Sequence, residues 1–432
     1  RIGVTWGIRD DLTLRGGVGL YSGGNPNVWI SNAWSNDGLT NAQFQFNYFD
    51  SATVLPGFAD SLPLSRQQRP GYDVPQEMVD AVLAVTPADA NTSNLVIIDP
   101  DYEQPSEWKF ALGGTWDMPW LGGMQLDFDY LHSRGNDPAY YVDLSQSIVG
   151  TTILGTPIYD FTNGRDNLML TNSGETPVSN VISFVLRKEF DFGLDVLVGY
   201  AWTEAEDVSP MTSAVAVSNF DNTALLDINN PPAANSNYVV PQRWTLRLDY
   251  EYPLFGDNLT QVTLFGFFNE GQPQSYAMNS SDLEGDGFFG RHLLYIPDGP
   301  SDPNVVFGAD FDQQAFFEWA AANGLGPGFT ERNGYNTGWS SRFDLRISQE
   351  IPLPADLVGR LYFKVYNLGN MLNDNWGEIV DAQFFTPEIV DASVDAQGRF
   401  VFEDFSDRSI ERTYINRSLW EARIGFDIKF GL

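Results

Sequence analysis

Apolar and polar residues alternate one for one through most of the regular stretches of this chain, and the closing fourteen residues show it most fully. In Leu419 to Leu432 (LWEARIGFDIKFGL), Trp420, Ala422, Ile424, Phe426, Ile428 and Phe430 share one face of an extended strand, while Glu421, Arg423, Asp427 and Lys429 share the other. Strands of soluble sheets mostly end after about five or six residues. This one keeps its pattern for about the ten residues that a tilted strand needs to cross a bilayer. An apolar band with an aromatic near each end, here Trp420 and Phe430, is what a membrane barrel presents to lipid, its charged face turned to a wet lumen. A soluble β-sheet is the competing reading of a single such strand.

The same pattern recurs from the start of the chain. Ile2, Val4, Trp6 and Ile8 alternate with Gly3, Thr5, Gly7 and Arg9, and after Asp10-Asp11 the residues Leu14, Gly16, Val18 and Leu20 return opposite Arg15, Gly17, Gly19 and Tyr21, which predicts a hairpin. A long Asn- and Pro-rich connection over 22–105 follows, with a predicted helix near Pro75 to Val85. Trp108 to Trp116 and Met124 to Tyr130 form the next pair around the turn Pro119 to Gly123. Val181 to Phe190 and Leu194 to Thr203 are joined by Asp191-Phe192-Gly193, and Arg243 to Tyr252 turns at Pro253 to Asn258 into Leu259 to Asn269, a strand apolar on both faces. After a loop with a predicted helix at Asp312 to Ala322, Arg342 to Ile347 and Leu361 to Val365 flank the turn Pro352 to Gly359, and the closing strand follows a last long loop. About eleven strands result, joined by connections that alternate short and long, as in bacterial barrels with short periplasmic turns and long outer loops. With the long loops outside, the last strand ends in the periplasm. Single-chain bacterial barrels have even strand numbers, so this chain alone is not expected to close.

Composition sharpens the picture. The 432 residues include 31 Phe, 18 Tyr, 12 Trp, 40 Gly and 25 Pro, no Cys, and 57 acidic against 24 basic residues; aromatic, Gly-rich and Lys-poor usage favours strands over helices. No apolar run approaches the ~18 residues of a membrane helix, so membrane crossing here requires strands. The absence of Cys excludes disulfide scaffolds, thiolate metal sites and cysteine nucleophiles. A formal charge of -33 repels phosphate and argues against nucleic acid as a partner; solvated acidic loops explain it, and cation attraction is the functional alternative. The chain opens at Arg1 inside a strand pattern with no signal peptide before it, and is expected to be a piece of a longer polypeptide.

Gly271 to Tyr276 (GQPQSY), Arg291 to Pro297 (RHLLYIP), Asp344 to Pro352 (DLRISQEIP) and, most strongly, Phe363 to Gly377 (FKVYNLGNMLNDNWG) resemble, in the expected order, C-terminal barrel segments of Oar-like TonB-dependent receptors of Gram-negative outer membranes; the first half is similar mainly in pattern, with Pro105 to Trp108 (PSEW) opening a strand as in these receptors. The resemblance implies an antiparallel transmembrane β-barrel of about 22 strands, of which residues 1–432 supply the C-terminal part, with long extracellular loops carrying short helices. It also implies a plug, a TonB box and an N-terminal domain outside this chain. The expected function is uptake of a large or scarce ligand with energy coupled through TonB. Expected partners are outer-membrane lipid and lipopolysaccharide, the TonB complex, the plug and an extracellular ligand. The family usually ends on an aromatic residue; here Gly431 and Leu432 follow Phe430. A passive porin-like or structural barrel, and a secreted β-protein adhering to glycans or cell surfaces, are the alternatives.

Few residues suggest chemistry. Asp282, Glu284 and Asp286 before Gly287 (DLEGDG) place three carboxylates as a calcium loop begins, yet the position of the bidentate Glu holds Leu293. A polar outer-loop turn is the competing reading, and otherwise no cofactor is expected. His132 lies at the outer end of a strand near Asp129 and Asp137, where a general base is conceivable, but a catalytic set is recognised by geometry and no enzyme is expected. His292, beside Arg291, is expected to face solvent. Arg243, Arg247, Arg342, Arg346, Arg360 and Arg423, with Asp249, Glu251, Asp344, Glu421 and Asp427, are expected to form a mixed-charge inner wall, paired across strands and fit to dock a plug. Trp29, Trp34, Phe316, Phe317 and Trp319 are aromatics of the outer loops, open to ligand contact or to packing the loops together.

Overall fold

The computed structural model describes residues 1–23, 26–36, 80, 83–84, 95–161, 166–280, 283, 290–354, 357–383 and 386–429. Eleven strands form one antiparallel ladder in chain order: β1 Ile2–Arg9, β2 Leu12–Ser22, β3 Ser106–Met118, β4 Met124–Asn136, β5 Val178–Phe190, β6 Leu194–Asp207, β7 Gln242–Phe255, β8 Asn258–Asn269, β9 Ser340–Pro352, β10 Val358–Tyr366 and β11 Glu421–Lys429. Each pairs with its sequence neighbours. Because short and long connections alternate, the long segments 23–105, 137–177, 208–241, 270–339 and 367–420 all leave the same end of the sheet. Strands and alternation agree with the sequence reading, although β3, β4 and β7 run several residues further at the loop or turn end than their hydrophobic pattern does.

Register sorts the side chains into two faces. Leu12, Trp116, Leu126, Leu186, Val198, Leu246, Gly266 and Phe343 stand in one row across eight strands, and Val262, Ile347, Phe363 and Ile424 continue that face to the far edge. Gly266 interrupts it without leaving a gap, because the Phe343 ring occupies the space that a Cβ there would fill. The opposite face carries Arg15, Asp129, Ser183, Arg243, Asn269 and Ser340 in a single row. Arg15 reaches over Gly113 to hold Asp129 with two hydrogen bonds of 2.8 and 2.9 Å. A side chain at Gly113 would collide with that carboxylate. Arg187 pairs with Asp127 at 3.1 Å and Arg360 with Glu350 at 2.9 Å across strands, whereas Arg342 with Asp344 at 2.9 Å, Arg247 with Asp249 and Arg423 with Glu421 pair two residues apart on one strand; the mixed-charge wall is present, but three of its expected cross-strand pairs are pairs within a strand, because residues i and i+2 share a face. Such half-exposed pairs contribute about 0–1 kcal/mol each; they keep charge off the apolar face more than they hold the sheet together.

The described residues of the long connections are largely packed into buried clusters. One buried cluster joins Tyr276, Leu294, Phe316, Trp319, Ile389, Phe400 and Phe402, and a second joins Val96, Tyr141, Leu168, Leu170 and Phe220. Short strands support them, several of them parallel: Ala277–Asn279 beside Glu388–Val394, Val305–Phe307 beside Phe400–Phe405, and Leu95–Ile98 beside Asn167–Asn172. Alternation did not announce these pieces, because residues buried on both sides carry no period of two. The helix predicted at Asp312 is found at Gln313–Ala322, with Asp312 accepting the Ala315 N–H at 3.0 Å as its cap. The helix expected near Pro75 falls almost wholly outside the described residues.

A charge on the row that faces hydrocarbon is expected to be costly, and one on the polar face cheap. In the full-length protein refolded into lipid vesicles, Phe184→Arg, which is 43% exposed on the apolar face, should lose about 2–4 kcal/mol in a guanidinium titration. Ser183→Arg on the polar face, beside Asp129, should stay within about 0.5 kcal/mol of the parent. Equal costs at the two positions would remove lipid from the apolar face.

Candidate functional site at the loop end of β6

Trp202 to Asp207 are the loop end of β6, paired with β5 as far as Ala205, and described parts of the segments 208–241 and 270–339 pack against it. Ala234–Asn235 pairs with Glu206 and Asp207, which sets the first segment against the strand. Arg332 fixes the second: it is 5% exposed and donates to the Val208 carbonyl at 2.8 Å, to the Asp207 carbonyl at 3.1 Å and to the Asp207 carboxylate. Asn333, held at a φ of 52°, donates to the Asn235 carbonyl at 2.6 Å and to Asn237 Oδ1 at 2.7 Å, while its carbonyl accepts from Asn235 at 2.8 Å and its Oδ1 from the Ser275 hydroxyl at 3.3 Å. The Asn-Gly pair Asn333-Gly334 is a turn former, and here the turn is the clamp.

Between these segments lies a cavity of about 950 Å³. Trp202, Leu225, Val239, Leu293 and Phe329 give it apolar walls, and Glu204, Glu206, Asp227 and Glu331 bring four carboxylates to its lining. None of the four has an ion-pair partner among the described residues. Glu206 accepts the Val178 N–H at 3.1 Å and Asp227 accepts the Tyr159 hydroxyl at 2.6 Å. The Tyr159 hydroxyl is pushed far above its ordinary value, first by burial and then by its bond to Asp227, so it donates at every physiological pH. The one cation of the described lining, Arg332, is already neutralised by Asp207. Arg332 Nε and Asp207 Oδ2 are buried without partners.

The surrounding cap is tied together by buried polar contacts. Arg291, 2% exposed, pairs with Asp221 at 3.1 Å and stacks 4.7 Å over Phe220, joining the two buried clusters. Burial first, with Tyr335 and Glu411 adding to it, pushes Tyr276 up to about 12. Burial works to raise the Asp302 pKa, but hydrogen bonds from the Asn304 and Asp298 backbone, from Tyr295 and from the Asn304 side chain outweigh it and hold the carboxyl below 3.8.

The residues singled out from sequence distribute unevenly over this arrangement. Asp282, Glu284 and Asp286 lie outside the described residues; Leu293 is buried, and among the described residues no cluster of three or more His, Cys, Asp or Glu could hold a metal. His132 Nδ1 lies 2.9 Å from Asn180 Oδ1, which also accepts the Tyr130 hydroxyl at 2.9 Å, and Phe110 packs on its other side. No Ser stands beside it on that face: its row neighbours are Phe110 and Asn180. His292 does not face solvent. It is fully buried in the short strand His292–Leu293, paired with Met278 and bridged to Leu225, because RHLLYIP lies inside the cap. Phe316 and Trp319 pack the cap, Trp29 donates to the Ser213 carbonyl at 3.0 Å, and Trp34 is exposed. The cavity residues Trp202, Glu204, Asp227, Glu331 and Arg332 were not singled out in the sequence; Asn333-Gly334 was the only local signal near them.

A family model described as an outer membrane beta barrel domain matches residues 1–377, a span that holds β1 to β10. No curated protein matches the chain in sequence. Among solved structures, the outer membrane transporter YddB from Escherichia coli is similar over 99% of this chain at 10% identity and a TM-score of 0.45; the chain spans 40% of YddB's length.

Two outcomes are expected of the cap. The native pKa of Asp302 lies below its unfolded value, so its carboxylate stabilises the fold above about pH 3.8 and that contribution is lost as pH falls through the lower native value. Hydrogen exchange at the Asp298 and Asn304 amides should therefore accelerate on acidification in the parent, and should already be fast and nearly pH-insensitive, after correction for intrinsic rates, in Asp302→Asn. Asn367 is fully buried at a φ of 53° and donates to the Gly377 and Ser418 carbonyls at 2.8 and 2.6 Å. Asn367→Ala should cost about 1–3 kcal/mol, read as faster proteolysis between residues 367 and 420.

Proposed function

Because this chain belongs to the outer-membrane β-barrel domain family, and is a protein of the Gram-negative outer membrane, we propose that it forms the C-terminal part of an Oar-like TonB-dependent receptor. The observation that carries this reading is the open sheet. Among the described residues β1 and β11 each have one neighbour only, and a sheet edge left bare in hydrocarbon forfeits several kcal/mol for every unpaired backbone group. Further strands must cover both edges, and about eleven more give the about 22 of plugged outer-membrane transporters. The compensated polar face, with Arg15–Asp129, Arg187–Asp127 and Arg342–Asp344, suits a wall against which a plug docks without stranding a charge.

In this reading the loop end is the extracellular mouth, the cap captures ligand, and TonB acts on a segment that precedes the barrel. In the same reading the protein is a transporter, and His132 is held in the sheet by Asn180. Lipid and lipopolysaccharide meet the apolar face, and nucleic acid is repelled by the charge of -33.

The test uses the full reading frame, purified in detergent, and the periplasmic domain of the host's TonB as probe. Saturable binding that disappears when the segment before the plug is deleted is the expected result. No TonB binding, combined with steady ion conductance in planar bilayers, would overturn the receptor and leave a passive porin.

A further inference from the structure

We propose that Lys188 and the turn 119–123 form a binding site for a phospholipid with a monoanionic headgroup, of the phosphatidylglycerol class, on the lipid-facing side of the sheet at its turn end. The register isolates this lysine. Phe184, Leu186, Lys188 and Phe190 alternate along β5 onto the apolar face, and Lys188 stands opposite Val196 of β6. From β2 to β10 every other charged strand residue either stands on the polar face or, as Arg134, Glu204 and Glu206 do, lies at the loop end. A cation facing lipid is costly at the bilayer midplane and cheap near the interface. Lys188 is at the interface, since β5 ends at Phe190 and the chain has already turned into β6 by Leu194.

The ammonium is held in one place by the protein. Its nitrogen lies 5.3 Å from the centroid of the Phe190 ring and against Gly122, where a Cβ would come within 2.9 Å of it. Glycine serves twice there: it takes the φ of 70° that the turn requires, and it leaves room for the amine. No carboxylate pairs with Lys188 among the described residues; its neighbour Arg187 takes Asp127 at 3.1 Å on the opposite face. Exposed rings surround the site. Trp120 packs 6.0 Å from Trp116 and Phe192 packs 5.3 Å from Phe190, so both turn aromatics extend the apolar face.

That face belongs to an outer-membrane barrel domain, and lipid covers it. An ammonium among rings and acyl chains keeps one unit of charge uncompensated in a medium of low dielectric, where attraction to an opposite charge is strong. The ligand that removes it brings one net negative charge together with long apolar chains. Phosphatidylethanolamine carries its own ammonium and is net neutral, and inorganic phosphate brings charge without chains. A monoanionic phospholipid meets both demands, its phosphate on Lys188 and its apolar part against Trp120 and Phe192.

The site depends on the bilayer and not on energy coupling, so its test can fail while the receptor reading stands, and the reverse. Full-length protein in detergent is given equal amounts of phosphatidylglycerol and phosphatidylethanolamine with identical acyl chains, and retained lipid is counted by native mass spectrometry. The first lipid retained should be phosphatidylglycerol, favoured about fivefold. Lys188→Gln should abolish that preference. Lys364→Gln on the polar face of β10, and Arg134→Gln on the apolar face at the loop end, should leave it unchanged. Each variant must keep the heat-modifiable electrophoretic mobility of the parent barrel, and should Lys188→Gln lose it, Lys188→Met takes its place. No preference in the parent, a preference that survives the loss of Lys188, or an equal loss from Arg134→Gln or Lys364→Gln would overturn the proposal. Displacement of the lipid by millimolar inorganic phosphate would overturn it too, since it would mark a site for the free ion.

Discussion

Hydrocarbon gives a peptide backbone nothing to hydrogen-bond with, and the architecture of this chain is the answer to that deficit. Each of the strands β2 to β10 is paired on both sides over most of its length, so the main-chain groups inside the bilayer are satisfied within the sheet. Side chains can then be apolar on one face from Leu12 to Phe343 and charged on the other from Arg15 to Arg342, because period-two alternation costs the ladder nothing. Among the described residues β1 and β11 are each paired on one side only.

Antiparallel pairing in chain order has a second effect. It sends every long connection to one end, and five such segments are crowded together there. Side chains such as Phe316, Phe400, Leu168 and Leu170 bury themselves in two clusters, and the Arg291–Asp221 pair over Phe220 ties those clusters to each other. A buried pair of this kind contributes less to net stability than to fixing one arrangement, since breaking it strands a charge. A structured cap is thereby built on the mouth, and structured walls can keep a cavity open where loose loops would collapse into it.

Charge has a different distribution on the two parts. Along the sheet, acids and bases are matched locally, Asp129 with Arg15 and Asp127 with Arg187. At the cavity they are not: Glu204, Glu206, Asp227 and Glu331 meet one guanidinium that Asp207 has already claimed. Much of the acidity of the chain is solvated surface. At this place it is gathered against apolar walls.

The sequence by itself determined the sheet: its eleven strands, its short turns, the side chains that face lipid and the polar wall, because alternation and turn residues are local and each strand repeats them. It also placed the Gln313–Ala322 helix, through Asp312 and the spacing of its aromatics. The tertiary structure alone decided the cap and the cavity. His292 is the plainest case: a polar residue beside an arginine reads as exposed, and it is buried because residues 225 and 278, distant in the chain, fold around it. Arg332 is similar, its partner Asp207 lying 125 positions away. Such contacts have no period and no fixed spacing; they come from several connections packing at one end of a sheet, and only the folded chain brings them together.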